Sequence, residues 1–198
     1  MTDLPKIAVI ISTTRAARFA DIPAAWILDL ARARGDMEVE LVDLRDHPLP
    51  FFNEPASNRW MPSQDPEALR WQQRLAGFDG FIFVVPEYNH SIPGVLKNAL
   101  DQAYREWERK PFTAIGYGGV GAARALEHLR GIGVELQMVS TRSAVHIGGP
   151  DLFAIHPGMG GQQTIEDIEP HLLQGATMAL DELLWWAKAT MAARASEV

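Results

Sequence analysis

Three short segments of this chain gather side chains able to bind or react. Ser12-Thr13-Thr14-Arg15-Ala16-Ala17-Arg18 brings three hydroxyls and two guanidinium groups directly after an apolar run. With a helix starting just beyond, exposed backbone N–H groups and the helix dipole favour an anion, and arginine meets a phosphate with paired hydrogen bonds. Ordinary capping by Ser and Thr beside solvated arginines is the competing reading, and the missing Gly-Lys pair excludes a Walker loop. The second segment, Pro86-Glu87-Tyr88-Asn89-His90-Ser91-Ile92-Pro93-Gly94, offers a fixed backbone edge and an aromatic face to a planar ligand, although a purely structural turn fits it nearly as well. The third, Gly116-Tyr117-Gly118-Gly119-Val120-Gly121, matches G-x-G-x-x-G. A dinucleotide fold would place that pattern in its first βα turn, with an acidic residue ending the next strand, whereas Glu135 here precedes its strand. Its glycines read better as bare backbone that a flat group can approach.

Other chemistries find little support. His90, His128, His146 and His156 have no metal-ligand spacing, and Ser91 lacks the G-x-S-x-G surroundings of a nucleophile elbow. With no cysteine, thiolate catalysis, disulfides and iron–sulfur clusters are excluded, so redox chemistry would need a bound cofactor.

The elements around these segments alternate between strand and helix. Ile7 to Ile11 is an unbroken apolar run, as in a strand buried on both faces. Apolar spacing then predicts a helix from Ile22 to Arg34, with Asp21 as N-cap and Gly35 as stop, followed by a strand at Val39–Val42 whose polar alternation suits a place near a sheet edge. Pro48, Pro50, Pro55, Pro62 and Pro66 bar regular structure from residues 45–66, while Leu49, Phe51, Phe52, Trp60 and Met61 favour a packed loop. Beyond it the pattern predicts helix over 67–76, strand over 80–85, helix over 95–108, strand over 112–115, helix over 122–130, strand over 136–145, a glycine-rich stretch over 148–161 and a final helix over 168–193. Five strands and five helices in this order predict an α/β fold, a three-layer doubly wound parallel five-stranded sheet, as one domain over residues 1–198. Ligands of such sheets bind beyond the carboxyl ends of the strands, where the three segments fall.

The composition narrows the partners. A net charge of −7 and scattered basic residues argue against nucleic acid, and no run approaches the roughly 20 apolar residues of a membrane helix. The N-terminus lacks the basic start and apolar core of a signal peptide, so the cytoplasm is the expected compartment. In the last helix Leu172, Ala176, Ala179, Leu180, Leu183, Trp186 and Ala187 form one apolar stripe, and Trp185 falls off it among polar neighbours. That projecting aromatic, with Trp107 between Glu106 and Glu108 as a second candidate surface, predicts a homo-oligomer, a homodimer or homotetramer.

Pro86-Glu87-Tyr88-Asn89 through Pro93-Gly94-Val95-Leu96-Lys97-Asn98-Ala99-Leu100-Asp101 resembles the P-E-Y-N-x-S-x-P-G-x-L-K-N-A-x-D signature of the NADPH-dependent FMN reductase family. These are flavodoxin-like enzymes that include quinone, chromate and azo-dye reductases. Gly118 to Arg130 is similar to the family's glycine turn and following helix, and Ser12 to Arg18 to its phosphate loop. Two positions depart: Ser12-Thr13 stands where the family usually has Gly-Ser, and Ala16-Ala17 where many members have Pro-Gly or a nearby Ser, so added Cβ atoms are expected near the phosphate. The resemblance implies one FMN, with its phosphate on Thr13, Thr14, Arg15 and Arg18 and its isoalloxazine against Pro86, Glu87, Tyr88, Asn89, Gly118 and Gly119. It also implies an oxidoreductase passing hydride from NADPH (or NADH) through the flavin to a quinone-like, flavin or other small acceptor. A flavodoxin-like electron carrier or sensor without nicotinamide turnover is the alternative.

Overall fold

The computed structural model describes residues 4–196. Its strands are β1 (Lys6–Ile11), β2 (Glu38–Asp43), β3 (Gly80–Pro86), β4 (Pro111–Tyr117), β5 (Val139–Ser140) and β6 (Val145–Ile147). The helices are α1 (Asp21–Arg34), α2 (Pro66–Ala76), α3 (Gly94–Asp101), α4 (Ala123–Glu135), α5 (Gly149–Ile155) and α6 (Ile165–Ala195). All strand pairs are parallel, in the order β2-β1-β3-β4-β5, and β6 also pairs with β4. The chain therefore reverses direction across the sheet between β1 and β3, the switch point of a flavodoxin-like sheet. Register aligns the strand exits there, since Ile11 pairs with Asp43 and Val84, and Tyr117 pairs with Pro86 and Ile147.

Two apolar layers hold the sheet. Ile7, Val9 and Ile11 face α1 and α6 through Ala24, Ile27, Leu180 and Leu183. Ala8, Ile10, Phe81 and Phe83 face the other way, toward Trp71 of α2, Leu96 of α3 and Leu126 of α4. Central strands buried on both faces are uniformly apolar for this reason, and each fully buried Ile or Phe stabilises the fold by roughly 1.5–3 kcal/mol. Strand β2 lies at the sheet edge with Glu38 and Glu40 exposed, as its polar alternation predicted, but Leu41, expected on the apolar side, is exposed as well.

Several boundaries differ from expectation. Asp21 is the first helical residue of α1 rather than its N-cap, and its carboxylate turns back to Arg18. Gly35 does stop the helix, with a φ of 68°. The predicted helix over 95–108 ends at Asp101 because the following turns fold onto the core. There Trp107 is fully buried, packs 4.8 Å from the Phe81 ring and donates its indole N–H to the Leu100 carbonyl at 3.2 Å. Trp107 is thus no surface anchor, since helical periodicity misplaced it beyond the helix end. Helix α4 runs on to Glu135 through Gly133, where a Cβ would lie 2.5 Å from the Phe112 ring. The predicted strand over 136–145 is two short pieces, and the glycine-rich stretch contains α5. Helix α6 starts three residues earlier than expected, at Ile165, behind a Thr164–Asp167 capping box.

Candidate functional site at the strand exits

The first exit is a loop whose backbone points two ways. No N–H from Thr13 to Ala17 has a protein acceptor among the described residues. The carbonyls are held instead: Arg18 donates from Nη1 to Thr13 O at 3.0 Å, and Arg45 donates from Nη2 to the carbonyls of Arg15 and Ala16. Ser12 is buried with its hydroxyl on Ile10 O at 3.4 Å, so its Cβ belongs to the sheet side of the loop, while Ala16 and Ala17 are exposed.

The two arginines of this loop behave differently. Arg18 is almost fully covered, and its five N–H donors all have partners in Asp21, Asp43 and Thr13 O. The hydrogen bonds to Asp43 raise its pKa, and it carries a permanent charge locked inside the structure. Burial raises the Asp43 carboxyl, but Arg18 and the Arg45 backbone N–H lower it more, leaving it below the ordinary carboxylate range. Arg15 is exposed, with its guanidinium 5.7 Å from the centre of the Tyr88 ring, a cation–π contact.

The second exit is a tight turn. Tyr88 and Ser91 exchange backbone hydrogen bonds of 2.9 and 3.1 Å around Asn89 and His90, both with positive φ (50° and 70°). Such backbone is costly for residues other than glycine, and strain of this kind collects at functional sites. Tyr88 Oη is 2.9 Å from Thr13 Oγ1, tying this turn to the first exit. Pro86 is buried at the end of β3. Glu87 turns its carboxylate away, onto the Arg124 guanidinium and the backbone N–H groups of Arg124 and Ala125 at the start of α4. Burial raises its pKa and these donors more than offset that, so it stays ionised.

At the third exit the glycines stand in different surroundings. Gly121 has a φ of 64°, and a Cβ there would lie 2.8 Å from His146 Cβ, so it lets β4 and β6 close together. Gly119 is exposed, and a Cβ built on it meets nothing within 4 Å, so no neighbour in the protein explains its bareness. Gly118 lies between, 3.2 Å from Glu87 Cβ by the same measure. Tyr117 is buried beside them, stacked edge-on to Phe19 at 5.1 Å, and burial pushes its phenol above the ordinary range.

The structure thus brings Thr13, Thr14 and Arg15 together with Tyr88, Asn89, Gly118 and Gly119 at one end of the sheet, while Arg18 and Glu87 are turned into supporting contacts. Sequence reasoning missed Asp43, Arg45 and Arg124. The first two stand beyond a helix and a strand from the loop they brace, and only their charge at a strand exit hinted at a role. A cavity of about 640 Å³ is lined by α1 residues from Ile22 to Leu30 and by residues between Ile155 and Glu169. His128 Nδ1 is 3.0 Å from Ser91 Oγ on an exposed face. No group of three or more His, Cys, Asp or Glu side chains among the described residues could hold a metal ion.

The family model for NADPH-dependent FMN reductases matches residues 5–150. An NAD(P)H-dependent FMN reductase of Schizosaccharomyces pombe is 35% identical over 150 residues, covering 71% of this chain and 72% of that protein. A 2-hydroxy-1,4-benzoquinone reductase of a Burkholderia species is 38% identical over 142 residues, covering 68% of this chain and 73% of the relative. Among solved structures, the flavoenzyme NAD(P)H:acceptor oxidoreductase FerB of Paracoccus denitrificans superposes with a TM-score of 0.69 at 23% identity, covering 94% of this chain and 99% of its own, a likeness of fold.

Proposed function

The chain belongs to the NADPH-dependent FMN reductase family, and on that premise we propose how its strand exits serve an FMN-dependent NAD(P)H oxidoreductase acting on quinone-like or flavin acceptors. When bound, FMN supplies the hydride chemistry, accepting from reduced nicotinamide and passing electrons to the acceptor. The protein's part is to bind, orient and shield.

The observation that carries this reading is the run of acceptor-free N–H groups from Thr13 to Ala17 beside the exposed Arg15. It is the donor set a phosphate monoester satisfies. Thr13, Thr14 and Arg15 take the phosphate, while Arg18 serves it indirectly by holding Thr13 O. Tyr88 and Asn89, on the rigid turn after Pro86, and the bare backbone of Gly118 and Gly119 line the isoalloxazine. Glu87 fixes that wall by tying it to α4. No side chain here is assigned as an obligatory acid or base, because the reaction requires the ring to be oriented rather than a protein group to exchange protons. The whole chain, residues 1–198, acts as one flavin-binding unit.

Absorption spectra of the purified protein before and after adding FMN, followed by NADPH oxidation with and without a quinone, test this function. Flavin bands with quinone-dependent turnover are expected. Flavin held without turnover would replace the enzyme by an electron carrier, and no flavin would remove both.

Trp186, expected on the buried stripe of α6, is instead 36% exposed beside Trp185 at 63%, and the pair supports a homodimer or homotetramer. No helix among the described residues is long and apolar enough to cross a membrane, and the cytoplasm is the proposed compartment.

A further inference from the structure

We propose that Arg45 is a positioning residue for the flavin phosphate, acting on the loop's backbone rather than on the ligand. The inference rests on the placement of the phosphate at Thr13–Ala17 and adds a residue that this placement does not require.

The geometry follows from the planarity of the peptide. In a trans peptide the carbonyl of one residue and the N–H of the next point in opposite directions. Arg18 fixes the carbonyl of Thr13, and Arg45 Nη2 fixes those of Arg15 and Ala16. The N–H groups paired to these carbonyls belong to Thr14, Ala16 and Ala17, and all three are among those without a protein acceptor. The two guanidinium groups therefore stand on one side of the loop and turn its donors to the other. Concave runs of N–H groups of this kind bind anions.

Arg45 is itself placed by β2. It lies in the single turn after that strand, where Asp43 Oδ1 accepts its backbone N–H at 2.9 Å. The same Asp43 carboxylate binds Arg18, so one acidic group at the exit of β2 anchors both carbonyl-holding arginines. Arg18 is neutralised by Asp43 and Asp21, whereas the Arg45 guanidinium makes no salt bridge among the described residues. Its charge stays behind the loop and adds to the attraction for phosphate. Without Arg45 the peptides at 15–16 and 16–17 are free to rotate, and two of the three oriented donors lose their aim. Glycine is not needed for this device, which lets Ala16 and Ala17 stand where many relatives of the resembled pattern carry other residues.

The test is fluorescence titration of the apoprotein with FMN and, separately, with riboflavin, which has the ring and no phosphate. Arg45→Ala is expected to weaken FMN binding roughly five- to thirty-fold and to leave riboflavin binding within two-fold. Arg45→Lys, which keeps the charge but not the planar fork, is expected to recover only part of the loss, and the loss should persist at 0.5 M salt. Equal losses for both flavins, or an FMN affinity unchanged in Arg45→Ala, would overturn the role. Full recovery by Arg45→Lys would overturn it too, reducing Arg45 to a point charge. The wild-type protein separates this from the parent reading: if it binds riboflavin as tightly as FMN, the phosphate loop itself fails, whereas discrimination by wild type that survives in Arg45→Ala removes Arg45 alone. Arg45 is exposed, and a thermal melt of each variant verifies that the fold is intact.

Discussion

Thr13 Oγ1 and Tyr88 Oη are hydrogen-bonded at 2.9 Å, joining two strand exits that lie 75 residues apart in sequence. Thr13 is buried at the end of the β1 side and Tyr88 is half-buried at the end of β3, so the bond spans the switch point itself. It fixes the distance between the loop proposed to take the phosphate and the turn proposed to face the ring.

Tyr88→Phe keeps the aromatic face and removes this bond. A neutral hydrogen bond contributes about 0.5–1.5 kcal/mol net, so the FMN dissociation constant should rise roughly two- to twelve-fold with little change in the melting temperature of the apoprotein. Isothermal titration of both proteins measures it; an identical constant would mean that the two exits are held in place by other contacts.

Arg15→Ala removes the exposed guanidinium beside the loop. The hypothesis that it pairs with phosphate predicts a loss of FMN affinity of roughly 10- to 150-fold, the range for a charged hydrogen bond. Quenching of flavin fluorescence gives the constant, and an unaltered value would detach Arg15 from the phosphate.

Gly119→Val should separate folding from binding. Because a Cβ here meets nothing within 4 Å, the variant is expected to melt near the wild-type temperature while losing FMN and NADPH oxidation. A variant that keeps both would show that the glycine turn does not touch the ring. Gly121→Val is the contrast, since the positive φ and His146 make it a folding defect.

Lys110 gives a pH signature of stability. It is buried, with Nζ on the Leu75 carbonyl at 3.1 Å at the end of α2, and burial pushes its pKa down to about 8. Arg194 lowers it further, while Asp79 and Glu106 act in the opposite sense. The unfolded chain therefore binds more protons than the folded one between about pH 8 and the ordinary lysine range, and stability rises with pH across that window. The charged form below it is disfavoured by roughly 3 kcal/mol. Urea unfolding at pH 7.5, 8.5 and 9.5 should show the wild type gaining on Lys110→Met as pH increases. Parallel curves would place Lys110 at its ordinary pKa.

Trp185 is the residue to challenge for assembly. Light scattering coupled to size exclusion is expected to give a multiple of 21.9 kDa, and Trp185→Glu to reduce it. A wild-type mass near the single-chain value at micromolar concentration refutes the oligomer, and a variant that assembles unchanged acquits Trp185.

The sequence by itself determined the first four strands and the placement of the exits, because the apolar runs Ile7–Ile11 and Gly80–Val85 suit strands buried on both faces and polar segments follow them, whereas the division into β5 and β6 and the helix α5 came only with the tertiary structure. It also carried the family, through the run from Pro86 to Asp101. Tertiary structure decided which polar groups remain available. Arg15 and Arg18 look alike in the chain, yet Asp43, brought beside the loop by the β1–β2 pairing, consumes one and not the other. Glu87 reads as a site residue until α4 presents its N-terminus, and Trp107 as a surface residue until the turns after Asp101 fold it against Phe81. Periodicity reports the face a residue takes within its own element, whereas these outcomes depend on pairings across tens of residues that no local pattern encodes.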